Sequence, residues 1–453
     1  MKIVVAGCGK VGGAIISQLN REDYDITVID SDNDVLSANE GLYDVMVIHG
    51  NCAVYDVLIK AGIEDADLII AVTGEDEINM LCAITAHCIN NRVKTICRIR
   101  DPQYRDQAIK MQDIFSVSMI VNPDYMTAME LNRLLMYPAF LRRDSFASGK
   151  AEVVEIKIEE ESKLAGVVLK NVGEVMGCRV LVCAVVRNGE VIMPDGNFEL
   201  LAGDEVFVTA STNNFHIMLG NLGIITKKIK NVMLCGGGRI SFYLAGILAD
   251  RGINVKIIER DYKRCVTLSE LLPKASVICG DATDETFLEE EGLEGTDAIV
   301  SLTGMDELNM VISLYANNKD VGKVFTKIGK IENKSLLGSL PLGSVISPKN
   351  LCAANILRYV RALRNQTGAA ITMHKIANGM VEALEFVVAP DAKYIGEAIK
   401  DMHLKPGILI VGITHKGSHV IPGGNSSYRL GDHVIIVTTE DHLVYTLNDI
   451  FEG

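Results

Sequence analysis

The chain has 453 residues, 48% of them apolar and 23% charged, the balance of a globular protein with three or four domains at roughly 100–200 residues each. Its net charge of −14, from 44 Lys and Arg against 58 Asp and Glu, argues against general nucleic-acid binding, because an acidic surface repels a phosphate backbone. No apolar run approaches the roughly 18 residues that span a bilayer. The opening MKIVVAGCGK has neither a basic n-region nor a small-residue cleavage site, so no leader is expected. Eleven scattered cysteines without a CxxC spacing point to a reducing compartment rather than to disulfides or a thiolate metal site. With no Trp and 5% aromatic residues, stacking platforms for single strands or sugars are not expected.

In chain order, continuous apolar or β-branched runs at 3–6, 26–29, 45–48, 68–72 and 95–99 predict strands buried on both faces. Amphipathic stretches such as 12–19 and 54–61 predict helices between them. Strand alternating with helix implies a doubly wound parallel sheet. A further strand is expected over 114–121, before Asn122-Pro123, with an exit helix over 125–135. The polar, basic segment 141–150 reads as a linker. Residues 152–211 then read as strand, short helix and two or three strands, a small α+β domain with no evident catalytic set.

The chain is then written again. VTGEDEINM at 72–80 recurs as LTGMDELNM at 302–310, six of nine positions being identical. IVVAGCGKVG at 3–12 answers VMLCGGGRIS at 232–241, DITVIDSD at 25–32 answers NVKIIERD at 254–261, and HGNC at 49–52 answers CGDA at 279–282. GDEVFVTA at 203–210 matches GDHVIIVT at 431–438, and 381–439 repeats the small-domain pattern. The order is kept and the offset stays between 228 and 230 (72 to 302 is 230; 203 to 431 is 228), the mark of one duplication. The expected architecture is therefore α/β: two tandem repeats, each a Rossmann-like doubly wound parallel-sheet domain followed by a small α+β domain. Boundaries fall at 1–138, 141–225, 231–348 and 369–453, with 221–230 joining the halves.

Gly7-Cys8-Gly9-Lys10-Val11-Gly12 follows the first strand and opens a helix, the context that makes GxGxxG meaningful. Its glycines serve the tight turn, the approach of a pyrophosphate to the backbone and close helix packing, while the helix N-terminus favours negative charge. Asp30, 18 residues after Gly12 at the end of the second strand, can accept both ribose hydroxyls and would repel a 2′-phosphate. NAD or ATP/ADP is thus favoured over NADP. In the second copy, Gly236-Gly237-Gly238-Arg239-Ile240-Ser241, serine stands at the third glycine position and Glu259 replaces Asp30, so weaker binding is expected there. Lys10 and Arg239 share one position and can either reach a phosphate or be solvated.

Thr73-x-x-Asp76 and Thr303-x-x-Asp306 read as capping boxes, which explains Asp76, Glu77, Asp306 and Glu307 better than a metal or paired-carboxylate site. Thr73 and Gly74, with Thr303 and Gly304, also fall at the carboxyl end of the fourth strand, facing the ligand crevice. Arg98 and its counterpart Lys327 end the fifth strand, placed for a phosphate or a crevice acid. Asn51 and Asp281 follow the third strand on the adenine side. Cys8, Cys52 and Cys235 read as small packing residues, and His49, His87 and His216 lack partnered spacing.

Together these features make the chain similar to the tandem regulator-of-potassium-conductance (RCK, or KTN) subunits of Trk-type potassium uptake. The resemblance implies a protein that is cytoplasmic and peripheral on the inner face of the cell membrane. It implies that the chain binds NAD(H) and/or ATP/ADP, self-associates as a dimer or tetramer ring, and gates an integral membrane potassium channel subunit of the TrkH/KtrB type. It assigns Gly7–Val11, Asp30, Thr73, Gly74 and Arg98 to one site, and Gly236–Ile240 with Glu259 to another. An NAD-dependent oxidoreductase would share the first loop but needs an acid/base set in a substrate domain. A free-standing nucleotide sensor of another target is the remaining alternative.

Overall fold

The computed structural model describes residues 1–22, 24–110, 112, 115–136, 142–146, 151–222, 229–330, 340–364, 370–377, 380–415, 418–439 and 444–452. These divide into two compact units, 1–132 with 229–357 and 133–228 with 358–453. Each unit pairs equivalent domains of the two halves.

In the first unit the first half contributes β1 (Lys2–Ala6), β2 (Asp25–Asp30), β3 (Met46–His49), β4 (Leu68–Ala71), β5 (Lys94–Arg98) and β6 (Met119–Val121), an all-parallel sheet in the order β3-β2-β1-β4-β5-β6. The strands are apolar throughout because helices cover both faces; Val5, Ala6, Ile69 and Ile70 are wholly buried. The order reverses between β1 and β4, which opens a crevice at the carboxyl ends of these strands. The sixth strand is shorter than expected, with 113 and 114 outside the described residues. The exit helix Pro123–Met136 starts on its proline, whose missing N–H costs nothing at a helix's first position.

The first half's small domain belongs to the other unit: β7 (Arg142–Phe146), β8 (Ala151–Lys157), β9 (Leu181–Arg187), β10 (Glu190–Ile192) and β11 (Glu205–Ser211), ordered β10-β9-β11-β8-β7 and antiparallel. Residues 142–146 are therefore a strand against β8, not linker; the rest of 141–150 lies outside the described residues, as do 223–228 of the joining segment. This strand is polar because it is an edge, where charge is the usual protection, and its one apolar residue, Phe146, turns inward, 1% exposed.

The second half repeats the plan with β12 (Asn231–Cys235), β13 (Asn254–Glu259), β14 (Ser276–Cys279), β15 (Ala298–Ser301), β16 (Lys323–Lys327) and β17 (Ser344–Ile346), ordered β14-β13-β12-β15-β16-β17. Its small domain holds β18 (Thr372–Ile376), β19 (Val381–Val387), β20 (Ile408–His415), β21 (Ser418–Val420) and β22 (His433–Thr439), ordered β18-β19-β22-β20-β21. Within that unit the two small sheets share one core: Phe146, Cys183 and Phe207 cluster with Ile376, Val411 and Val437. The amphipathic alternation of both sheets places these residues on one face (period two).

Candidate functional site

The first glycine loop is built around a backbone that no other residue fits. Gly7 has φ +99°, and a Cβ there would lie 2.8 Å from the Thr73 amide nitrogen. Its own N–H donates to the Ile29 carbonyl at 2.8 Å. A Cβ on Gly12 would fall 1.8 Å from the Gly7 carbonyl oxygen, so the helix Lys10–Leu19 leans directly on the turn. Gly9 caps that helix with no side-chain hydrogen bond and no acid in the first turn, and a Cβ on Gly9 would meet nothing within 4 Å. The amides of the first turn are thus left facing open space, with Lys10 exposed and Val11 half-buried beside them.

The second loop reaches the same shape by other means. Gly236 has φ +109°, and a Cβ would lie 2.9 Å from the Leu302 carbonyl oxygen. Gly238 caps the helix Arg239–Asp250, again without a side-chain bond or a first-turn acid. Ser241 is fully buried, and its hydroxyl donates to the Gly236 carbonyl, so the serine ties the helix to the turn on which Gly12 merely rests.

The acids close both loops. Asp30 accepts from the Cys8 amide at 2.6 Å and from the Asp32 amide at 3.0 Å. Glu259 takes the matching amides of Gly237 at 2.6 Å and Asp261 at 2.8 Å. The longer acid fits because its partner is glycine: a Cβ on Gly237 would sit 3.0 Å from Glu259 Cγ and 2.6 Å from Leu268 Cδ1. Ile240 is buried behind this loop, and the Arg264 Nε donates to the Gly237 carbonyl at 2.8 Å. A carboxylate has about four lone-pair sites, so each acid keeps acceptor capacity beyond these two amides, less at Asp30, which the Cys8 thiol also meets.

The threonines do not form capping boxes. Thr73 turns its amide and hydroxyl to Asn79 Oδ1, both at 2.8 Å, and Asn79 Nδ2 donates to the Arg98 carbonyl at 3.0 Å. Thr303, Asn309 and Lys327 repeat this arrangement. The acids of the supposed boxes point elsewhere: Asp76 accepts from the Arg100 and Asp101 amides at 2.9 and 2.8 Å, Asp306 from those of Gly329 and Lys330. The caps lose because a fully buried Asn79 or Asn309 offers the threonine a partner inside the protein, where an unmet amide would cost more than at the surface. Both asparagines lie in the most similar stretch of the repeat, a signal that sequence reasoning left unused.

Arg98 is 8% exposed, and its guanidinium donates to the Thr73 carbonyl; burial, then Arg100, pushes its pKa down to about 10. Lys327 Nζ bonds the Thr303 carbonyl and is likewise held below the usual lysine value by burial. Gly74 is exposed and its carbonyl accepts from Arg100 at 2.7 Å. Asn51 and Asp281 are exposed beyond β3 and β14 and close their own turns, onto the Ala53 amide and onto Thr283. Cys8 and Cys235 are buried, with thiols pushed up to about 12 by that burial. Cys52 is also buried. His49 meets the Ser31 carbonyl at 3.1 Å, and the His216 side chain lies outside the described residues.

A group that sequence reasoning missed joins the two sheets of this unit. Tyr243, on the helix of the second loop, donates to the Arg100 carbonyl at 3.2 Å and accepts from Asn122 at 3.1 Å. Its ring meets Tyr125 edge-on at 5.4 Å, and Arg105 lies 3.8 Å from the Tyr125 centroid. Half-buried Asp124 sits in the field of Arg100, Arg239, Arg98 and Lys327; burial raises its carboxyl and these four cations pull it back. Lys327 in turn feels Lys10. Crevice cations of both halves therefore converge across the lobe contact. Among the described residues no cluster of three or more His, Cys, Asp or Glu is placed to hold a metal ion, and no helix is long and apolar enough to cross a membrane.

Two Rossmann-type parallel sheets, each opened by a glycine loop and each followed by a small antiparallel domain, define a duplicated chain of TrkA-N and TrkA-C domains. The TrkA-N domain family model matches residues 3–123 and 232–348, and the TrkA-C domain model residues 153–217 and 383–449. The Trk system potassium uptake protein TrkA of Vibrio alginolyticus is 31% identical over 458 residues, covering 100% of this chain and 99% of its own. Its namesake in Haemophilus influenzae is 30% identical over 461 residues, covering 100% and 99%. The chain belongs to the TrkA family of Trk system potassium uptake proteins. Solved structures share the fold: the GsuK RCK domain has a TM-score of 0.62 at 17% identity, covering 97% of this chain and 92% of that one. The GsuK channel bound to NAD has a TM-score of 0.62 at 17% identity, covering 97% and 77%.

Proposed function

We propose that this chain is a cytoplasmic regulatory subunit, peripheral on the inner face of the membrane, that binds nucleotide and gates a potassium uptake channel of the TrkH/KtrB type. Regulation is favoured over hydride transfer because full-length relatives are named as potassium uptake proteins. The carrying observation is a cation, Lys10 or Arg239, at the first position of each loop helix, over an uncapped and acid-free turn. A cation is disfavoured at the positive end of a helix dipole, and a bound phosphate reverses that sign. The residues proposed to hold it are Gly7 to Gly12 with Asp30, Thr73, Gly74 and Arg98 in the first site. In the second they are Gly236 to Ile240 with Glu259 and Thr303, with Asn51 and Asp281 flanking the adenine sides.

NAD(H) and ATP/ADP fit an acid at the ribose; NADP does not. Ligands with different numbers of phosphates would engage the converging cations around Asp124 to different extents, and so prefer different lobe arrangements. Turning a gate from 1:99 to 99:1 takes about 5.5 kcal/mol of differential affinity, which several sites in a dimer or tetramer ring can share. The test is calorimetric titration with NADH, ATP and ADP, followed by potassium flux in vesicles carrying the channel subunit. Two sites per chain, one lost in Asp30→Ala and the other in Glu259→Ala, with flux that depends on the nucleotide, is the expected result. Binding untouched by both substitutions, or flux indifferent to every nucleotide, overturns the proposal.

A further inference from the structure

The second lobe carries a pair of thiols that neither the fold nor the nucleotide site requires. Cys265 lies in the helix Tyr262–Leu271, and Cys279 ends β14 as the register partner of Glu259. Their sulfurs rest on consecutive carbonyls of one turn: Cys265 Sγ is 3.2 Å from the Glu259 oxygen and Cys279 Sγ 3.8 Å from that of Arg260. Donating to adjacent carbonyls of the same turn brings the two sulfurs to one place. Cys279 is exposed and Cys265 is 6% exposed: one sulfur is open to a reagent and the other waits behind it. The first lobe places His49 and Leu36 at these positions, so the pair belongs to the second lobe alone.

We infer that Cys265 and Cys279 form a reversible disulfide by exchange with a low-molecular-weight disulfide, and that the bridge loosens the second nucleotide site. In the first step the Cys279 thiolate attacks one sulfur of the small disulfide, giving a mixed disulfide and one departing thiolate, which takes up the proton Cys279 released. Cys265 then attacks the Cys279 sulfur, its proton leaving with the second small thiol. Two protein thiols and one small disulfide become one protein disulfide and two small thiols. The resolving step is the slow one, because Cys265 is buried and burial raises its thiol, and only the thiolate attacks. Bridging removes both thiol protons from the Glu259 and Arg260 carbonyls, on the turn whose Glu259 side chain closes the Gly237 loop. The effect on that loop rests on the nucleotide reading; the bridge itself does not.

Another pair of thiols serves as an internal control: Cys52 and Cys82 lie in one buried cluster, 4% and 0% exposed. The reduced full-length chain is exposed to oxidised glutathione, and non-reduced peptides are mapped. A Cys265–Cys279 peptide that disappears with added thiol, with Cys52 and Cys82 still free, is expected. In Cys265→Ser, Cys279 should stop as the glutathione adduct. The double variant Cys265→Leu, Cys279→His carries the first lobe's residues, should keep the native circular dichroism, and should form neither product. Wild-type chain that halts at the Cys279 adduct, or links other cysteines first, overturns the bridge. Calorimetry on the bridged chain should show a several-fold weaker second site and an unchanged first. Unchanged affinity at both sites overturns the coupling, and absence of nucleotide binding in the reduced chain overturns the nucleotide reading instead.

Discussion

The two lobes of the first unit, one from each half of the chain, close the same loop with different residues, and the differences come in matched sets. Where the first lobe has Gly12 pressed against the Gly7 carbonyl, the second has Ser241 bonded to the Gly236 carbonyl. Where the first has Cys8 with the short Asp30, the second has Gly237 with the long Glu259, and both acids reach the same pair of amides. Taken position by position, the second loop looks degraded. Taken in pairs, it is a second solution in which volume removed from the loop is returned by the acid. A site of this kind drifts by coupled steps, because an interior at close packing leaves no room for either change alone.

The largest way to break the comparison is to move one member of a set without its context. Gly12→Ser puts a Cβ 1.8 Å from a backbone oxygen, which the turn can accept only by moving. We expect a loss of about 3 kcal/mol in stability, at the upper end for overpacking, together with loss of nucleotide at the first site. Denaturant unfolding and calorimetry measure both, and a stable variant with two intact sites would show that the third glycine is dispensable. Ser241→Gly in the second lobe is the mild counterpart, about 1 kcal/mol for one hydrogen bond.

Next in size are the acids. Asp30→Ala and Glu259→Ala should each weaken nucleotide by roughly 1.5–3 kcal/mol at their own lobe, as for bonds to a charged group. Because each acid also holds two loop amides, each variant should lose about 1–2 kcal/mol of stability as well. A crevice carboxylate of no structural consequence would leave the unfolding midpoint where it was. The matched sets themselves are tested by a cycle: Asp30→Glu alone crowds Cys8, and adding Cys8→Gly should recover the loss, with a coupling of about 1 kcal/mol. Strict additivity would mean that the two residues do not share space.

How much of this was legible in the residues depended on where the causes lie. Strands buried on both faces announce themselves as unbroken apolar runs, and the glycine loops by local backbone need, so the sheets and both loops could be placed from sequence. The edge strands β7 and β18 could not, because an edge is written in polar residues and looks like a linker. Thr73 and Asp76 fit a capping box by spacing, but the buried Asn79 takes the threonine and the Arg100 and Asp101 amides take the acid. Asp124 and Tyr243 act only where one lobe meets the other, a contact that no local pattern encodes.

The smallest expected effect separates the two small domains. In the first, Arg187 grips Asp204 with Nε and Nη2, both at 2.8 Å, and the Leu201 amide bonds the same carboxylate. In the second, Asp432 has His415 in place of the arginine, Nδ1 to Oδ1 at 2.5 Å, with the Arg429 amide in place of that of Leu201. Burial pushes the Asp204 carboxyl up, but the Arg187 fork and the Leu201 amide outweigh it and hold the group below the usual carboxylate range. A depressed acid stabilises the fold above its unfolded value, about 3.9, and that contribution is lost as pH falls through the lower folded value. Arg187→Ala should therefore cost about 1 kcal/mol at neutral pH, since a 1% exposed carboxylate loses its partner, and the deficit should shrink to nothing in acid. Arg187→His should copy the second domain's pairing, one imidazole nitrogen in place of a two-nitrogen fork, and recover part of the Arg187→Ala loss. The reverse change, His415→Arg, should leave the second domain at least as stable, because the guanidinium can give the Asp432 carboxylate two bonds where the ring gives one. Thermal unfolding of the three variants at neutral and acid pH decides it, and an Arg187→Ala deficit that persists undiminished in acid would mean that the Asp204 charge plays no part at this corner.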